Sequence, residues 1–317
     1  MALSKTYEML WSDPEWRAEA RAWIEECLAA DGRQIAGELE QPHLMQWATA
    51  LRVPTSDGVA WFKACLPELA FEIDVLGLLA ARRADLVPVV LASDRDRAWL
   101  LLEDAGDRLR ELESQPGQVE RWETAVGRYA ELQQVAAADA DALVAAGATD
   151  RRGELMLDQF GELLDHDHGL TVDEVGALRG LLPKLRSYVG LLDELGVPDS
   201  IQHDDLHDGN IFVRDGEHRI IDWGDSCVAH PFHSLTVALA VVEHRLGPEP
   251  VARVRDAYVA PWAVSPSTEQ LEAAFRLGFV SGTLKWSEVR NLVADPTREP
   301  FDDAMPLRLR RLLELCA

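Results

Sequence analysis

Long apolar runs are absent. No stretch of the 317-residue chain reaches the roughly 18 apolar residues that a membrane span needs. The opening Met1-Ala-Leu-Ser-Lys-Thr6 also lacks the apolar core of a signal peptide, so a cytoplasmic protein without membrane contact is expected. Cysteine is scarce: Cys27, Cys65, Cys227 and Cys316 are scattered without a Cys-x-x-Cys spacing. They read as reduced thiols rather than a disulfide framework or a zinc site. Basic residues are short as well, 31 against 55 acidic, for a formal charge of −24. That balance argues against nucleic acid as a partner. It favours a cationic small molecule, although an acidic exterior also serves solubility alone. No internal repeat or low-complexity linker divides the chain. What is present is an ordinary hydrophobic content of 47% and enough length for a two-lobed protein or two domains.

The amino-terminal third mixes helix and strand. Asp13-Pro14 is an N-cap followed by proline at the first helical position, and Trp16, Ala20, Trp23 and Cys27 recur at helical spacing, predicting a helix over 11–30. Two alternating runs, 47–53 and 59–65, flank the turn Pro54-Thr-Ser-Asp-Gly58 and predict a hairpin. A helix is expected over 68–82, then strands over 86–92 and 98–103. Beyond Gly106 the pattern is mostly helical. Thr171-Val-Asp-Glu174 is a capping box opening a long helix in which Pro183 predicts a kink or break. Helices resume near Ser234, with breaks expected at 247–250, Pro261 and Pro296. This order predicts an α+β protein with a small β-rich lobe and a larger helical one, joined near Glu103–Asp107.

The chemistry concentrates in Ile201-Gln-His-Asp-Asp-Leu-His-Asp-Gly-Asn210 and Ile220-Ile-Asp-Trp-Gly-Asp225. Asp205 stands five residues before Asn210, and Asp222 ends a short apolar run. Phosphoryl transfer needs such a set: one carboxylate to take the proton of the attacking hydroxyl, and an amide oxygen and a second carboxylate for magnesium on the nucleotide phosphates. Gly209 suits the sharp turn before Asn210. The pattern resembles the catalytic loop and metal strand of the aminoglycoside phosphotransferase family, related to choline kinases and more distantly to protein kinases. The resemblance implies a two-lobed protein-kinase-like fold. Residues 1–104 would be a nucleotide-binding lobe with a leading helix, and 105–317 a helical lobe with the catalytic loop and substrate site. Asp205 would be the catalytic base, His203 a brace of the loop, and Asn210 and Asp222 the Mg2+ ligands; His207 would brace the loop too, or pack inside.

In the first lobe, Trp61-Phe-Lys63 sets a lysine on a strand between apolar neighbours and resembles the phosphate-pairing lysine of the kinase fold. The run Phe71-Glu-Ile-Asp-Val-Leu76 offers Glu72 as its partner, with Glu68 a turn earlier as a substitute. Trp99-Leu-Leu-Leu-Glu-Asp104 resembles the family's hinge, where backbone near Glu103 would read the base. Backbone reading does not separate ATP from GTP. Three departures stand out. Glu40-Gln-Pro-His-Leu-Met45 occupies the place of a glycine-rich phosphate loop. Asp204 replaces the usual glycine, as an extra carboxylate near the metals. His230-Pro-Phe-His-Ser234 follows where buttressing acids usually stand.

The resulting expectation is ATP-dependent O-phosphorylation of a small, cationic hydroxyl compound such as an aminoglycoside, an amino alcohol or an amino sugar. Asp225 would face it, and Glu243, Glu288, Asp302 and Asp303 are further acidic candidates. Two other readings stay open: a metal-dependent phosphohydrolase built on the His203–Asp208 cluster, and a kinase-like binding protein without transfer. A protein kinase is disfavoured because no Ala-Pro-Glu motif follows Asp222. Neither a resistance nor a metabolic role is specified, nor is the oligomeric state.

Overall fold

A β-hairpin with an unbroken register anchors the first lobe. Strand β2 (Ala48–Thr55) pairs antiparallel with β3 (Gly58–Cys65), from Ala48 opposite Cys65 to Thr55 opposite Gly58. The turn is therefore only Ser56 and Asp57, with Pro54 inside the strand. The computed structural model describes residues 4–112, 114–293 and 304–317. Helices α1 (Ser4–Trp11) and α2 (Pro14–Ala30) come first, followed by β1 (Glu40–Leu44). Helix α3 (Phe71–Arg83), β4 (Val90–Asp94) and β5 (Trp99–Glu103) follow the hairpin. The five strands form one antiparallel sheet in the order β1-β2-β3-β5-β4.

Alternation along β3 decides the lobe's two faces. Ala60, Phe62 and Ala64 are buried and lie beneath α2, which leaves Trp61, Lys63 and Cys65 to the opposite face. Helix α2 is capped by the Asp13 carboxylate, which accepts from the Glu15 amide at 2.7 Å. Its buried stripe is Trp16, Ala20, Ile24 and Leu28, one residue round from the Trp23–Cys27 edge expected from spacing. Trp16 packs edge-on to Trp99 at 6.0 Å, and Phe62 to Trp99 at 5.3 Å. These bulky rings seal the outer face of the sheet.

Two expectations are corrected here. Glu40–Leu44 is not a loop between the first two strands but the first strand itself, pairing Glu40 with Arg52 and Leu44 with Thr49. The connection to β2 is Met45–Trp47. Helix α3 begins at Phe71, after a separate 3-10 turn over Pro67–Leu69, so exposed Glu68 stands outside it.

The second lobe holds β6 (Asp107–Arg108), α4 (Gln118–Ala136), α5 (Ala140–Ala146), β7 (Thr149–Asp150), α6 (Gly153–Leu163) and α7 (Val172–Asp193). The strands β8 (Ser200–Gln202), β9 (Ile211–Arg214), β10 (Glu217–Ile220) and β11 (Cys227–Ala229) carry the catalytic segment. Helices α8 (Leu235–Leu246), α9 (Val251–Val259), α10 (Thr268–Leu292) and α11 (Ala304–Cys316) complete it. The Thr171 capping box is present. Helix α7 runs through Pro183 without a break. Burial of Leu178 before the proline and of Leu185, Tyr188 and Leu192 after it ties both halves to the core and outweighs one lost backbone hydrogen bond. Pro296, Asp302 and Asp303 lie outside the described residues. No helix among the described residues is long and apolar enough to cross a membrane.

Candidate active site

The catalytic segment is suspended between two small sheets. Strand β8 leads into the loop 203–210, and β11 returns antiparallel to it, Cys227 opposite Gln202. Between them β9 and β10 form a hairpin whose turn residues Asp215 and Gly216 both have positive φ, 53° and 84°, as a tight primed turn requires. Helix α4 supports β8 from behind: Gln133 donates to the Ile201 carbonyl at 2.7 Å, and the Tyr129 hydroxyl accepts from the His203 amide at 2.9 Å.

His203 is fully buried, and its Nε2 donates to the Ile221 carbonyl at 2.8 Å. Burial holds its pKa below the usual value, so the ring is neutral and ties the loop to the residue before Asp222. His207 Nδ1 accepts from the Gly209 amide at 2.9 Å and faces Arg110 at 3.1 Å. That leaves Nε2 towards Asp205, 3.4 Å away. Asn210 donates its amide to the Asp205 carbonyl at 3.0 Å, which frees its side-chain oxygen as a ligand.

Asp205 itself is held by long contacts, to His207, to Asn210 at 3.5 Å and to Lys285 at 3.4 Å. None is short enough to occupy the carboxylate fully. Burial raises its pKa, but the Lys285 charge and the His207 hydrogen bond outweigh burial and hold it well below the ordinary range. The group is ionised at neutral pH.

Lys63 reaches across the cleft to Glu72, its expected partner, and also to Asp222. Its Nζ lies 2.6 Å from Glu72 and 2.6 Å from Asp222. Burial alone would lower the lysine pKa, yet Asp222 and Glu72 together raise it. Glu72 is buried, its pKa pushed up by desolvation against the pull of Lys63, and it also accepts from the Trp223 amide at 3.1 Å. Asp222 sits in the left-handed region, φ 69°, a strained conformation for a non-glycine residue. The cleft enclosing Lys63, Glu72, Asp205, Asn210, Asp222 and Asp225 has a volume of about 510 Å³. Glu103 lines its rim, but its side chain turns to Arg33 at 3.1 Å and its amide donates to Val89.

Other expected candidates are engaged elsewhere. Asp204 does not face the metal residues: its carboxylate meets Arg151 at 2.7 Å, behind the loop, because a positive φ of 58° turns the side chain away. Asp208 is paired with Arg110 and Arg245 at 3.1 and 3.2 Å. Glu288 bonds Arg151 at 2.6 Å, and Glu243 is exposed on α8. Asp225 is 3.2 Å from Lys285. The sequence reading missed Lys285, Arg151 and Arg110. A lone lysine in Val280-Ser-Gly-Thr-Leu-Lys-Trp286 was the available signal for the first.

Residues 62–270 match the family model APH, described as a phosphotransferase enzyme family. No curated protein matches significantly. Among solved structures, a choline/ethanolamine kinase family protein from Mesorhizobium loti superposes with a TM-score of 0.64 at 16% identity, over 94% of each chain. Choline kinase LicA from Streptococcus pneumoniae gives 0.64 at 14% identity, over 94% of this chain and 99% of that one. An aminoglycoside phosphotransferase from Streptomyces rimosus, in complex with ADP and streptomycin, gives 0.52 at 17% identity, over 82% and 97%. At these identities the likeness establishes the two-lobed kinase-like fold.

Proposed function

Because the chain belongs to the phosphotransferase enzyme family and is a small-molecule phosphotransferase, we propose that it moves the γ-phosphoryl group of ATP to a hydroxyl of its acceptor. Residues 1–104 would form the nucleotide lobe and 105–317 the lobe bearing the catalytic loop and acceptor site. The observation that carries this reading is Lys63 held at 2.6 Å by both Glu72 and Asp222, in the cleft that Asp205 and Asn210 also line.

Each group has a task. Lys63, oriented by Glu72, neutralises nucleotide phosphate oxygens. Backbone along 103–105 reads the base. Asn210 and Asp222 fit Mg2+: both supply oxygen, one neutral and one charged, and this ion is met by one or two carboxylates beside substrate phosphates. Magnesium, when bound, offsets charge developing on those phosphates. Asp205 accepts the hydrogen bond of the acceptor hydroxyl and orients its oxygen towards the γ-phosphorus. That oxygen forms the new P–O bond as the bond to the ADP oxygen breaks, and the hydroxyl proton passes to Asp205. A carboxylate held below its usual pKa is a weak base, which suits a loose transition state in which the proton leaves late.

The phosphohydrolase reading loses its ligands to other work. Asp204 and Asp208 are each paired with arginine, and His203 is bound to a backbone carbonyl. The net charge of −24 draws cations to the protein generally, whereas the charge at the transfer point is set by Asp205, Asp225 and Lys285. The test is acceptor-stimulated ADP release with Mg-ATP, and in parallel Mg-GTP, by wild type and Asp205→Asn. Stimulation lost at least 100-fold in the variant, with Mg-ADP binding retained, is expected. Equal turnover by the two proteins would falsify the assignment of Asp205.

A further inference from the structure

The roof of the donor site contains no glycine. None stands between Gly37 and Gly58, and the chain there is the ordinary strand pair β1 and β2. Backbone amides of paired strands lie in the plane of the sheet, so what these strands turn to the cleft is side chains. The connection between them is closed as well, the Met45 amide donating to the Ala48 carbonyl at 2.9 Å.

Cross-strand register sets those side chains in rows. His43 pairs with Ala50, and Ala50 pairs with Lys63, so the three project from one face of the sheet. All three line the cleft. Two strand spacings put the His43 backbone about 10 Å from that of Lys63, with only the Ala50 methyl group between them. A phosphate group accepting from a nitrogen on either side, at about 2.8 Å each, fits across that trough. The neighbouring row, Trp61 opposite Leu102, lies towards the 103–105 backbone that reads the base. A nucleotide running along β3 therefore brings its phosphates to the row of His43 and Lys63.

The His43 ring is available for that contact and its backbone is fixed. Among the described residues the ring has no hydrogen-bond partner, whereas the His43 carbonyl accepts from Thr49 Oγ1 at 2.8 Å. Thr49 is buried on the far face of the sheet and accepts in turn from Gln41 Nε2 at 2.9 Å. This clamp holds the edge strand in place without help from the cleft. Desolvation lowers the His43 pKa; Asp222 pulls it up, and Lys63 and Arg108 push it down. The neutral ring keeps one N–H to donate and adds no charge against Lys63.

Resting on the phosphotransferase reading above, we propose that His43 is a donor-phosphate residue: its ring N–H and the Lys63 ammonium grip the phosphate chain of the nucleotide from opposite sides, across Ala50. A side chain thus does the work that a glycine-rich loop does with backbone amides. Ala50 supplies the space, and a larger residue there would stand where the phosphate lies.

Calorimetric titration with Mg-ADP, which requires no acceptor, compares wild type with His43→Leu, His43→Gln and Ala50→Leu, and urea denaturation of each verifies the fold. His43→Leu should weaken Mg-ADP binding at least tenfold, as expected for a lost hydrogen bond to a charged group. His43→Gln keeps an N–H at similar reach and should stay within threefold of wild type, a rescue that a merely structural role of the ring would not give. Ala50→Leu should also lose at least tenfold; if it does not fold, the two His43 variants decide alone. Affinity within twofold of wild type in His43→Leu or in folded Ala50→Leu overturns the proposal. So does a loss in His43→Gln as large as that in His43→Leu. Wild type that fails to bind Mg-ADP removes the phosphotransferase reading itself, and the proposal with it, which separates the two failures.

Discussion

Replacing Arg151 with methionine tests whether the loop is braced by charge from behind. Its side chain is 1% exposed and bonds the Asp204 carboxylate, itself 8% exposed, at 2.7 Å. Methionine fills much of the space but leaves a buried carboxylate without its partner, which costs about 3–5 kcal/mol. The lost contact to Glu288 adds little, since that side chain is 46% exposed and water replaces the arginine there. Asp204→Gly alone loses less: Arg151 keeps Glu288, and glycine relieves the φ of 58°, worth about 1–2 kcal/mol. The double variant Arg151→Met/Asp204→Gly removes both charges and installs the glycine usual in the resembling family. It should recover at least about 2 kcal/mol relative to Arg151→Met, a coupling typical of groups in one buried network. Urea denaturation of the four proteins measures the cycle directly. The defect of Arg151→Met should shrink as pH falls, because burial already raises the Asp204 pKa and its protonated form needs no counter-ion. Because Lys285 donates to the Asp204 carbonyl, kcat should fall in Arg151→Met and return in the double variant. Additive losses within about 0.5 kcal/mol would refute the bracing argument.

Three further expectations follow from single positions. Lys63→Met should abolish thermal stabilisation by Mg-ADP and cost about 3 kcal/mol by stranding buried Glu72; retained stabilisation would separate Lys63 from the nucleotide. Gly278→Ala would put a Cβ 2.2 Å from the Thr236 hydroxyl and 2.7 Å from the His233 carbonyl, so a loss of about 1–3 kcal/mol in urea is expected from overpacking α10. Burial lowers the His230 pKa to about 3, below the unfolded value near 6.5, so the unfolded chain binds more protons between those limits. That share of stability is complete above about pH 6.5 and is lost as pH falls towards 3, about 2 kcal/mol by pH 5. His230→Asn, which can keep the cap on the Phe232 amide, should flatten the pH dependence by that amount.

Where the sequence was readable, the interacting residues lie close along the chain. Lys63 and Glu72 are nine residues apart, and His203 to Asp225 is one continuous segment, so local spacing carries their relation. The β2–β3 hairpin was readable because both strands alternate. Strand β1 was not: Glu40-Gln-Pro-His-Leu44 is an edge strand with no buried residue, and its pairing comes from β2 rather than from its own pattern. Pro183 misled for a related reason. A local hydrogen-bond deficit was visible, but the packing that overrides it was contributed by residues far off in sequence.

Lys285 and Arg151 mark the same limit within the site. They lie 80 residues after Asp205 and 53 before Asp204, one on α10 and one just past β7, and their facing is settled only when these segments pack behind the loop. Their absence from the sequence reading had a definite consequence, since the remaining signal was a whole-chain charge of −24. That sum averages over a solvated exterior and says nothing about pairing at one point. In the structure Glu72 and Asp222 share Lys63, Asp205 and Asp225 share Lys285, and Asp204 has Arg151. The acid excess therefore continues into the cleft, at two carboxylates for each lysine. What the pairing fixes is position: Lys63 stands between Glu72 and Asp222, and Lys285 between Asp205 and Asp225.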